Sequence, residues 1–321
     1  MAGEECSHNS LALKYSNILD KLGYLPVYSK AARILCNAAK ASIGMFGHSA
    51  SKAIIEHMCS INGLSEEEIL TNCDLLQTSL YKILRKGADV ILHNIKAEIL
   101  PHAILIDPTI SVSEISNPQF TVGDIVKRIC TAETLEFIRE QPLGKHIAFL
   151  YENEYSKNRV LSAFFDGSAT SKATTRNILL SKNRGSNHRY AVYNSILYQE
   201  LLEESTRSDQ VVKKLADWTD MLYSLDNLKQ NNNNSNNNGG YKTIRVASEN
   251  TTWWRRNGLA DLHLSLEKSL GRCVQHNLSI ICGYDISEEE GNGTISASIS
   301  AHGYVILNEP FILYRAPGLE C

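Results

Sequence analysis

The sequence predicts an all-α module followed by an α/β module, whose mostly parallel sheet is flanked by helices. The first hundred residues place apolar side chains at three-and-four spacing, as amphipathic helices do. From residue 146 onward, short apolar runs alternate with helical stretches, the pattern of parallel strands joined by crossover helices. The 321 residues also exceed a typical single domain of ~100–200 residues. We therefore predict a helical domain over 1–105, a connector with one helix over 106–140, and an α/β domain over 141–321.

Composition narrows the class of protein. Hydrophobic residues make up 43% of the chain and charged residues 21%, which is ordinary for a globular protein. The formal net charge of −3 gives no long-range positive field that would attract nucleic acid or an anionic membrane. No run approaches the ~18–20 apolar residues of a membrane helix, and the N-terminus lacks the charged and apolar regions of a signal peptide. We expect a cytoplasmic protein without a membrane partner, whose eight cysteines are buried free thiols rather than disulfides.

Helix-start and helix-stop signals justify the helical module. Ser65 can accept a hydrogen bond from the backbone of Glu68 while the Glu68 side chain reaches back, which predicts a capping box. Asp74 predicts the start of a second amphipathic run that stops at Gly87. A further apolar run follows and is expected to end at Pro101, because proline breaks the helical hydrogen-bond ladder.

The α/β module is justified by alternating strand and helix patterns. Helical stretches are predicted over 211–225 and 259–274. The segment 167–189, rich in Ser, Thr, Lys and Arg, is predicted to be a surface insertion, and the Asn-rich segment 229–241 a disordered loop. The predicted strands are 146–151, 189–193, 243–247, 278–283 and 304–307.

The usual signatures of enzymes are missing from the sequence. After the first strand, the chain continues from Glu152 without a glycine-rich phosphate-binding loop. It contains no dinucleotide-binding glycine motif, no H-E-x-x-H and no G-x-S-x-G, and its histidines are too dispersed to indicate a metal site. The sequence therefore predicts a protein that is not an enzyme and has no catalytic residues, cofactor or bound metal.

Polar and aromatic residues gather at the predicted carboxyl ends of the strands, where ligands bind in open parallel sheets. Each polar residue could equally cap a helix or turn the chain, and the tryptophan pair could wall a pocket or pack a loop. A histidine before the last strand could equally be a structural residue. We expect Glu152, Glu249, Asp285 and a tryptophan to converge on one crevice. The candidate ligand-binding residues are Tyr151, Glu152, Asn194, Glu249, Trp253, Trp254, Tyr284, Asp285 and His302.

Four short segments of the α/β module together resemble the MEDS domain, the sensory domain named for methanogens, methylotrophs and the dichloromethane-dehalogenase repressor. These segments are 146–152, 245–249 with the following Trp253-Trp254, 280–285, and His302 before an apolar strand. The resemblance covers about residues 141–315. It implies a RecA-like core, related to the circadian KaiC ATPases but without a working phosphate loop, that senses small organic ligands.

The helical module, over 44–54 and on through 87–91, is similar to small helical output domains in signalling proteins of ammonia-oxidising archaea. Together the two resemblances imply a cytoplasmic sensory or regulatory protein that binds a small organic ligand and signals to a protein partner through its helical domain. One alternative is a RecA-like nucleotide-binding or ATPase module with Glu249 as the base.

The other alternative is a DNA-binding transcriptional regulator, so nucleic-acid binding stays open. Residues 1–118 contain fewer Lys and Arg than Asp and Glu, which argues against a basic recognition surface. The cations Lys82, Arg85 and Lys86 suggest a recognition helix, although cations are also favoured in the last turn of any helix.

Overall fold

Two units make up the protein, as seen in a computed structural model: a helical unit, Val27–Thr134, and an α/β unit, Met1–Pro26 with Leu135–Cys321. The predicted α/β class with flanking helices is confirmed. The structure describes residues 14–27, 29–111, 117, 119–140, 144–166, 175–181, 193–197, 243–249, 251–273, 278–287, 292–308 and 310–318.

The helical unit packs its helices around a core of Leu, Ile and Ala side chains. Small residues on the first helix, such as Ala31, Ala38 and Ala39, are buried and allow neighbouring helices to approach closely. Leu76, Leu80 and Ile95 lie in the same core. Its helices are α1 (Ser29–Gly44), α2 (His48–Asn62), α3 (Glu66–Thr71), α4 (Cys73–Leu84), α5 (Gly87–Ile106) and the first part of α6 (Val122–Glu140).

The predicted start of α3 is confirmed. Ser65 accepts a hydrogen bond from the backbone N–H of Glu68, and the Glu68 carboxylate accepts one from the backbone N–H of Ser65. The cap of α4 differs from the prediction, because the Asn72 side chain and not Asp74 accepts the free backbone N–H groups. Asparagine immediately before the helix satisfies those donors as well as aspartate would.

The predicted helix end at Pro101 is wrong, since α5 runs through Pro101 to Ile106. Proline removes one hydrogen bond from the helix interior, an effect of ~3 kcal/mol or more against the helix. Ile99 and Leu100 before it and Ala103 after it are buried in the core. The packing of this face outweighs the local preference of proline.

The α/β unit is built on one sheet with the strand order β1-β8-β7-β2-β6-β5-β3-β4. Strands β2 to β7 pair in parallel, and the two edge pairings β1 with β8 and β8 with β7 are antiparallel. The strands are β1 (Leu25–Pro26), β2 (His146–Tyr151), β3 (Thr175–Ser181), β4 (Tyr193–Leu197), β5 (Thr243–Ser248), β6 (Leu278–Asp285), β7 (Tyr304–Leu307) and β8 (Ile312–Arg315). The helices are α7 (Glu154–Asp166), α8 (Thr252–Arg256), α9 (Ala260–Cys273) and α10 (Asn292–Ile299).

The central strand β2 is buried on both faces, as its uninterrupted apolar sequence predicts. Successive side chains of a strand point to opposite faces of the sheet. On the first face, Ala148 and Leu150 join a core cluster with Cys282, Tyr284 and Trp254. The second face lies against α7.

Two strands lie where the sequence did not predict them. The segment 167–189 is not simply a surface insertion, because Thr175–Ser181 within it forms β3, between β5 and β4. The second predicted strand, 189–193, lies outside the described residues except for Tyr193, and β4 extends over Tyr193–Leu197. Both strands contain polar residues that interrupt the apolar pattern by which buried strands are recognised in a sequence. The predicted helix 211–225 and the Asn-rich segment 229–241 lie outside the described residues.

The division of the chain differs from the predicted boundaries at 105 and 140. The N-terminal residues belong to the α/β unit, where Tyr15, Leu19 and Tyr24 are buried in its core cluster and Leu25–Pro26 pairs with β8. The predicted connector belongs largely to the helical unit, and the division falls inside α6, after Thr134. Sequence distance concealed this arrangement, because the strand that pairs with Leu25–Pro26 lies near the opposite end of the chain.

Two expectations from composition can be compared with the structure. Among the described residues, no helix combines the length and the apolar character that crossing a membrane requires. The cysteines whose side chains are described are free thiols, as predicted, but only Cys130 and Cys282 are buried, whereas Cys36, Cys59 and Cys73 are partly buried.

Candidate functional site

Three candidate residues follow adjacent strands at the carboxyl edge of the sheet. Glu152 follows β2, Asp285 ends β6 and Glu249 follows β5, and these strands are neighbours in the order β2-β6-β5. The backbones approach so closely here that a Cβ atom at Gly283 would lie 3.0 Å from the carbonyl oxygen of Glu249. The Tyr151 hydroxyl donates to that same carbonyl oxygen at 3.0 Å. This edge is therefore tightly packed.

The carboxylate of Glu249 is held by a lysine from α7. The Lys157 Nζ atom lies 2.9 Å from Glu249 Oε1, and both residues are buried. The same ammonium group also lies 2.8 Å from the carboxylate of Glu154, whose side chain is exposed. The ion pair therefore anchors the end of β5 to α7 and occupies the Oε1 atom of Glu249.

Two other candidates, Asp285 and Asn194, do not fit the predicted site. Asp285 accepts hydrogen bonds from the backbone N–H and the hydroxyl of Ser287, so its carboxylate stabilises the turn after β6. Asn194 is the second residue of Tyr193–Leu197, so it lies near the amino end of its strand. The sequence analysis placed Asn194 after its strand, whereas it lies within the described strand β4.

The structure does not bring all candidates into one crevice. Tyr151 and Glu249 contact Lys157 of α7 on the second face of the sheet. Tyr284 and Trp254 lie in the core cluster on the first face. Strand alternation explains the separation, since residues one position apart point to opposite faces.

The first face contains a group of six titratable side chains, which we call the buried histidine cluster. They come from β2, α9, β6 and the turn before β7, and each is at most 5% exposed. Polar groups of this kind are rarely buried unless they are paired. The cluster consists of His146, His263, Glu267, Cys282, Tyr284 and His302.

Glu267 lies at the centre of this cluster. Its Oε1 atom lies 2.8 Å from His263 Nε2 and accepts a hydrogen bond from the Tyr284 hydroxyl at 3.1 Å. Its Oε2 atom lies 2.9 Å from His146 Nε2 and 3.3 Å from His302 Nε2. The carboxylate of Glu267 thus contacts three imidazole rings and one phenol hydroxyl in the interior of the unit.

The surroundings shift the pKa values of this cluster in opposite directions. Burial alone raises the pKa of Glu267, but the charges of His302 and His263, with the hydrogen bonds from His146 and His263, hold it well below its usual range. Burial, aided by His302, lowers the pKa of His146 to about 4. Burial and the negative charge of Glu267 raise the pKa of Cys282 and of Tyr284 well above their usual ranges. At neutral pH, Glu267 is an anion and His146 is neutral.

A row of aromatic rings connects this cluster to a half-buried tryptophan. Trp253 and Trp254 meet edge to face with ring centroids 5.5 Å apart, and Trp254 stacks on His263 at 5.9 Å. The row continues from His263 to Tyr284 at 6.1 Å and from Tyr284 to His302 at 5.9 Å. Trp253 is the half-buried member, whereas Trp254 is 2% exposed.

The sequence prediction found part of this cluster and missed its centre. Tyr284 and His302 were candidates, whereas His263, Glu267 and Cys282 were not. One local signal was present, because His263 and Glu267 are four residues apart and therefore share a face of helix α9. The dispersion of the histidines along the chain concealed the rest, since β2, β6 and the turn before β7 meet only in the folded sheet.

Comparison with known proteins shows no family for this chain. No family model and no curated protein matches the sequence. Among solved structures, one described as "The cytoplasmic domain of EssC" aligns with a TM-score of 0.30 and 9% sequence identity, covering 50% of this chain and 31% of that chain. A similarity this weak carries no argument about fold or function. The resemblance to the MEDS domain stays a prediction, and the functional argument depends on the geometry.

Proposed function

We propose that this chain is a cytoplasmic sensory or regulatory protein whose α/β unit binds a small organic ligand and signals through its helical unit. The observation that carries the proposal is the row of rings from half-buried Trp253 to the buried carboxylate of Glu267. An aromatic wall with a few convergent polar groups is the composition of a small-molecule site. A ligand that packs against Trp253 would therefore change the packing of the aromatic rings that connect Trp253 to Glu267.

Several observations favour binding over catalysis. Each member of the buried histidine cluster is at most 5% exposed, so a substrate would have no direct access to it. At the carboxyl edge, the Lys157 ammonium occupies the Oε1 atom of Glu249, the carboxylate that the alternative ATPase function would use as its base.

The turn between β2 and α7 also opposes nucleotide binding. It contains two residues, Glu152 and Asn153, and the Asn153 side chain accepts the backbone N–H of Ser156 at 2.8 Å. The first turn of α7 carries the negative charge of Glu154. A phosphate group would compete with this cap and be repelled by this charge.

The element through which such signalling would pass is helix α6. The helix is continuous over Val122–Glu140, while the division between the units falls after Thr134. The DNA-binding alternative gains little, because Lys82, Arg85 and Lys86 lie at the carboxyl end of α4, where cations complement the helix dipole.

Tryptophan fluorescence and thermal unfolding test the proposal. The chain has three tryptophans, so Trp218→Phe leaves Trp253 and Trp254 as reporters. In a panel of small organic compounds, nucleotides and inorganic ions, we expect at least one organic compound to change this emission and to raise the melting temperature.

A pair of variants locates the binding. Trp253→Leu should weaken the binding of that compound, whereas Tyr155→Leu, at an exposed aromatic residue of α7, should leave it unchanged. Equal effects of the two variants, or no organic compound that binds, would contradict the proposal. Hydrolysis of ATP by the purified chain that is abolished by Glu249→Gln would instead establish the ATPase alternative.

A further inference from the structure

We infer that the interior of the α/β unit contains a binding site for one divalent transition-metal ion of the zinc class. The site lies on the first face of the sheet, within the buried histidine cluster. It requires no organic ligand and therefore stands apart from the proposed sensory function. Its ligands are His146, Glu267, Cys282 and His302.

The separations of the ligand atoms fit a tetrahedral metal ion. Metal–ligand bonds of ~2.0–2.3 Å place the ligands of a tetrahedral zinc about 3.3–3.7 Å apart. Glu267 Oε2 lies 3.3 Å from His302 Nε2, 3.6 Å from Cys282 Sγ and 2.9 Å from His146 Nε2. Cys282 Sγ lies 3.5 Å from His146 Nε2, and all four atoms lie within 4.8 Å of one another. Small side-chain shifts would therefore accommodate the ion.

The orientation of His302 points independently to a cation. Its Nδ1 atom lies 2.8 Å from the carbonyl oxygen of Ser298, and because a carbonyl only accepts hydrogen bonds, Nδ1 carries the proton. In the neutral imidazole, Nε2 then presents a lone pair, and this buried atom has no hydrogen-bond partner. The lone pair faces a carboxylate oxygen of Glu267 at 3.3 Å. Two electron-rich atoms in this arrangement are stabilised by a cation between them, which is either a metal ion or a proton on Nε2.

Neighbouring groups hold the ligands as they do in protein metal sites. The hydrogen bond from His302 Nδ1 to Ser298 fixes the tautomer that presents Nε2. The second carboxylate oxygen of Glu267 is held by His263 and by Tyr284, which leaves Oε2 directed toward the other ligands. His302 and Glu267 are thus already oriented for a metal ion.

The donor set selects the class of metal. Two imidazole nitrogens, one thiolate sulfur and one carboxylate oxygen suit zinc and similar divalent transition metals better than magnesium or calcium. Binding releases the proton of the Cys282 thiol to solvent and moves the Nε2 proton of neutral His146 to its Nδ1 atom. The thiolate and the carboxylate then together balance the two positive charges. Four protein ligands in a site closed to solvent correspond to a structural or sensory ion rather than a catalytic one.

Cobalt substitution of the full-length wild-type chain tests the site directly. After removal of metal, we expect one Co²⁺ per chain to produce the intense visible bands of a tetrahedral site and a near-ultraviolet thiolate-to-cobalt band. One equivalent of Zn²⁺ should abolish these bands and raise the melting temperature. No tetrahedral spectrum and no thermal stabilisation by zinc would overturn the inference, and would assign the cluster to protonated histidines paired with Glu267.

A matched pair of cysteine variants identifies the sulfur ligand. Cys282→Ser should remove the thiolate band and weaken zinc binding, measured by competition with a chromophoric chelator, by more than the ~10–100-fold that loss of a group holding a metal ligand causes. Cys130→Ser, at a buried thiol of the helical unit, should retain the wild-type spectrum and affinity. A thiolate band that survives Cys282→Ser would contradict the assignment.

If Cys282→Ser does not fold, the wild-type spectrum still decides the inference. The results also separate the two hypotheses. If the chain binds zinc and no organic compound binds, the metal site is supported and the proposed sensory function is contradicted. If an organic compound binds and no metal does, the sensory function is supported and the metal site is contradicted.

Discussion

The ammonium nitrogen of Lys157 lies 2.9 Å from Oε1 of Glu249, and this pair joins α7 to the end of β5 inside the α/β unit. Both residues are buried, at 4% and 8% exposure. Removal of one partner would leave the other charge in the interior without its counterion. This relationship makes the pair a sensitive test of the packing at the carboxyl edge.

Lys157→Met should therefore lower the free energy of unfolding by ~3–5 kcal/mol, as loss of one partner of a buried ion pair does. Urea denaturation would measure the change. The matched control is Glu154→Gln, which removes the exposed partner of the same lysine and should change stability by at most ~1 kcal/mol. The double variant Lys157→Met, Glu249→Leu should recover most of the loss. Equal stability of Lys157→Met and Glu154→Gln would show that the pair does not form.

Gly283→Ala should destabilise the α/β unit. The added methyl group would lie 3.0 Å from the carbonyl oxygen of Glu249 and 3.1 Å from that of Ser248, and these backbone atoms cannot yield without disturbing the sheet. Overpacking of this kind lowers stability by ~1–3 kcal/mol. Gly44→Ala is the control, since nothing lies within 4 Å of the position that its added methyl group would take, and its effect should be small or stabilising. A melting temperature for Gly283→Ala that equals or exceeds that of Gly44→Ala would contradict the close approach of the Glu249 backbone to Gly283.

Ser65→Ala should lower the free energy of unfolding of the helical unit by ~0.5–2 kcal/mol, because it removes the capping box of α3. Ser51→Ala offers a comparison within α2, where the exposed hydroxyl bonds to the carbonyl of His48 and should contribute less than ~0.5 kcal/mol. Denaturant midpoints of the two variants would be compared with that of the wild type. An unchanged midpoint for Ser65→Ala would mean that the cap contributes nothing.

Tyr24 should make the protein less stable in alkaline solution. Its buried hydroxyl lies 2.9 Å from the carbonyl oxygen of Ile299 and 2.5 Å from that of His302, and burial raises its pKa from 10.0 to about 12. The folded state therefore holds this proton more tightly than the unfolded state. Its contribution is complete below the unfolded pKa of about 10 and is lost as the pH rises through about 12.

Over that pH range, the free energy of unfolding should fall more steeply for the wild type than for Tyr24→Phe. Stability measured by denaturant at several alkaline pH values gives the two slopes. Tyr155→Phe, at an exposed tyrosine, should retain the wild-type slope. Identical slopes for wild type and Tyr24→Phe would exclude a raised pKa at this residue.

Local signals in the sequence were sufficient for many elements of the fold. The capping residue Ser65, the apolar run of β2 and the amphipathic pattern of α9 each act through neighbours in sequence, so each could be recognised from the residues alone. The same signals placed Glu152, Glu249 and Asp285 at the carboxyl ends of strands, and these strands belong to one sheet. They did not reveal β3, or the continuation of α5 through Pro101, because packing with distant residues determines both.

The sequence by itself determined the α/β class, the helical module and the chemical groups at several strand ends. Only the tertiary structure decided which of these groups meet. Strand alternation separates Tyr151 from Tyr284, while the strand order and the position of α9 bring Glu267 within 3.3 Å of His302. The physical reason is that periodicity and caps act over a few residues, whereas sheet pairing joins residues by the burial of surfaces that lie far apart in the chain.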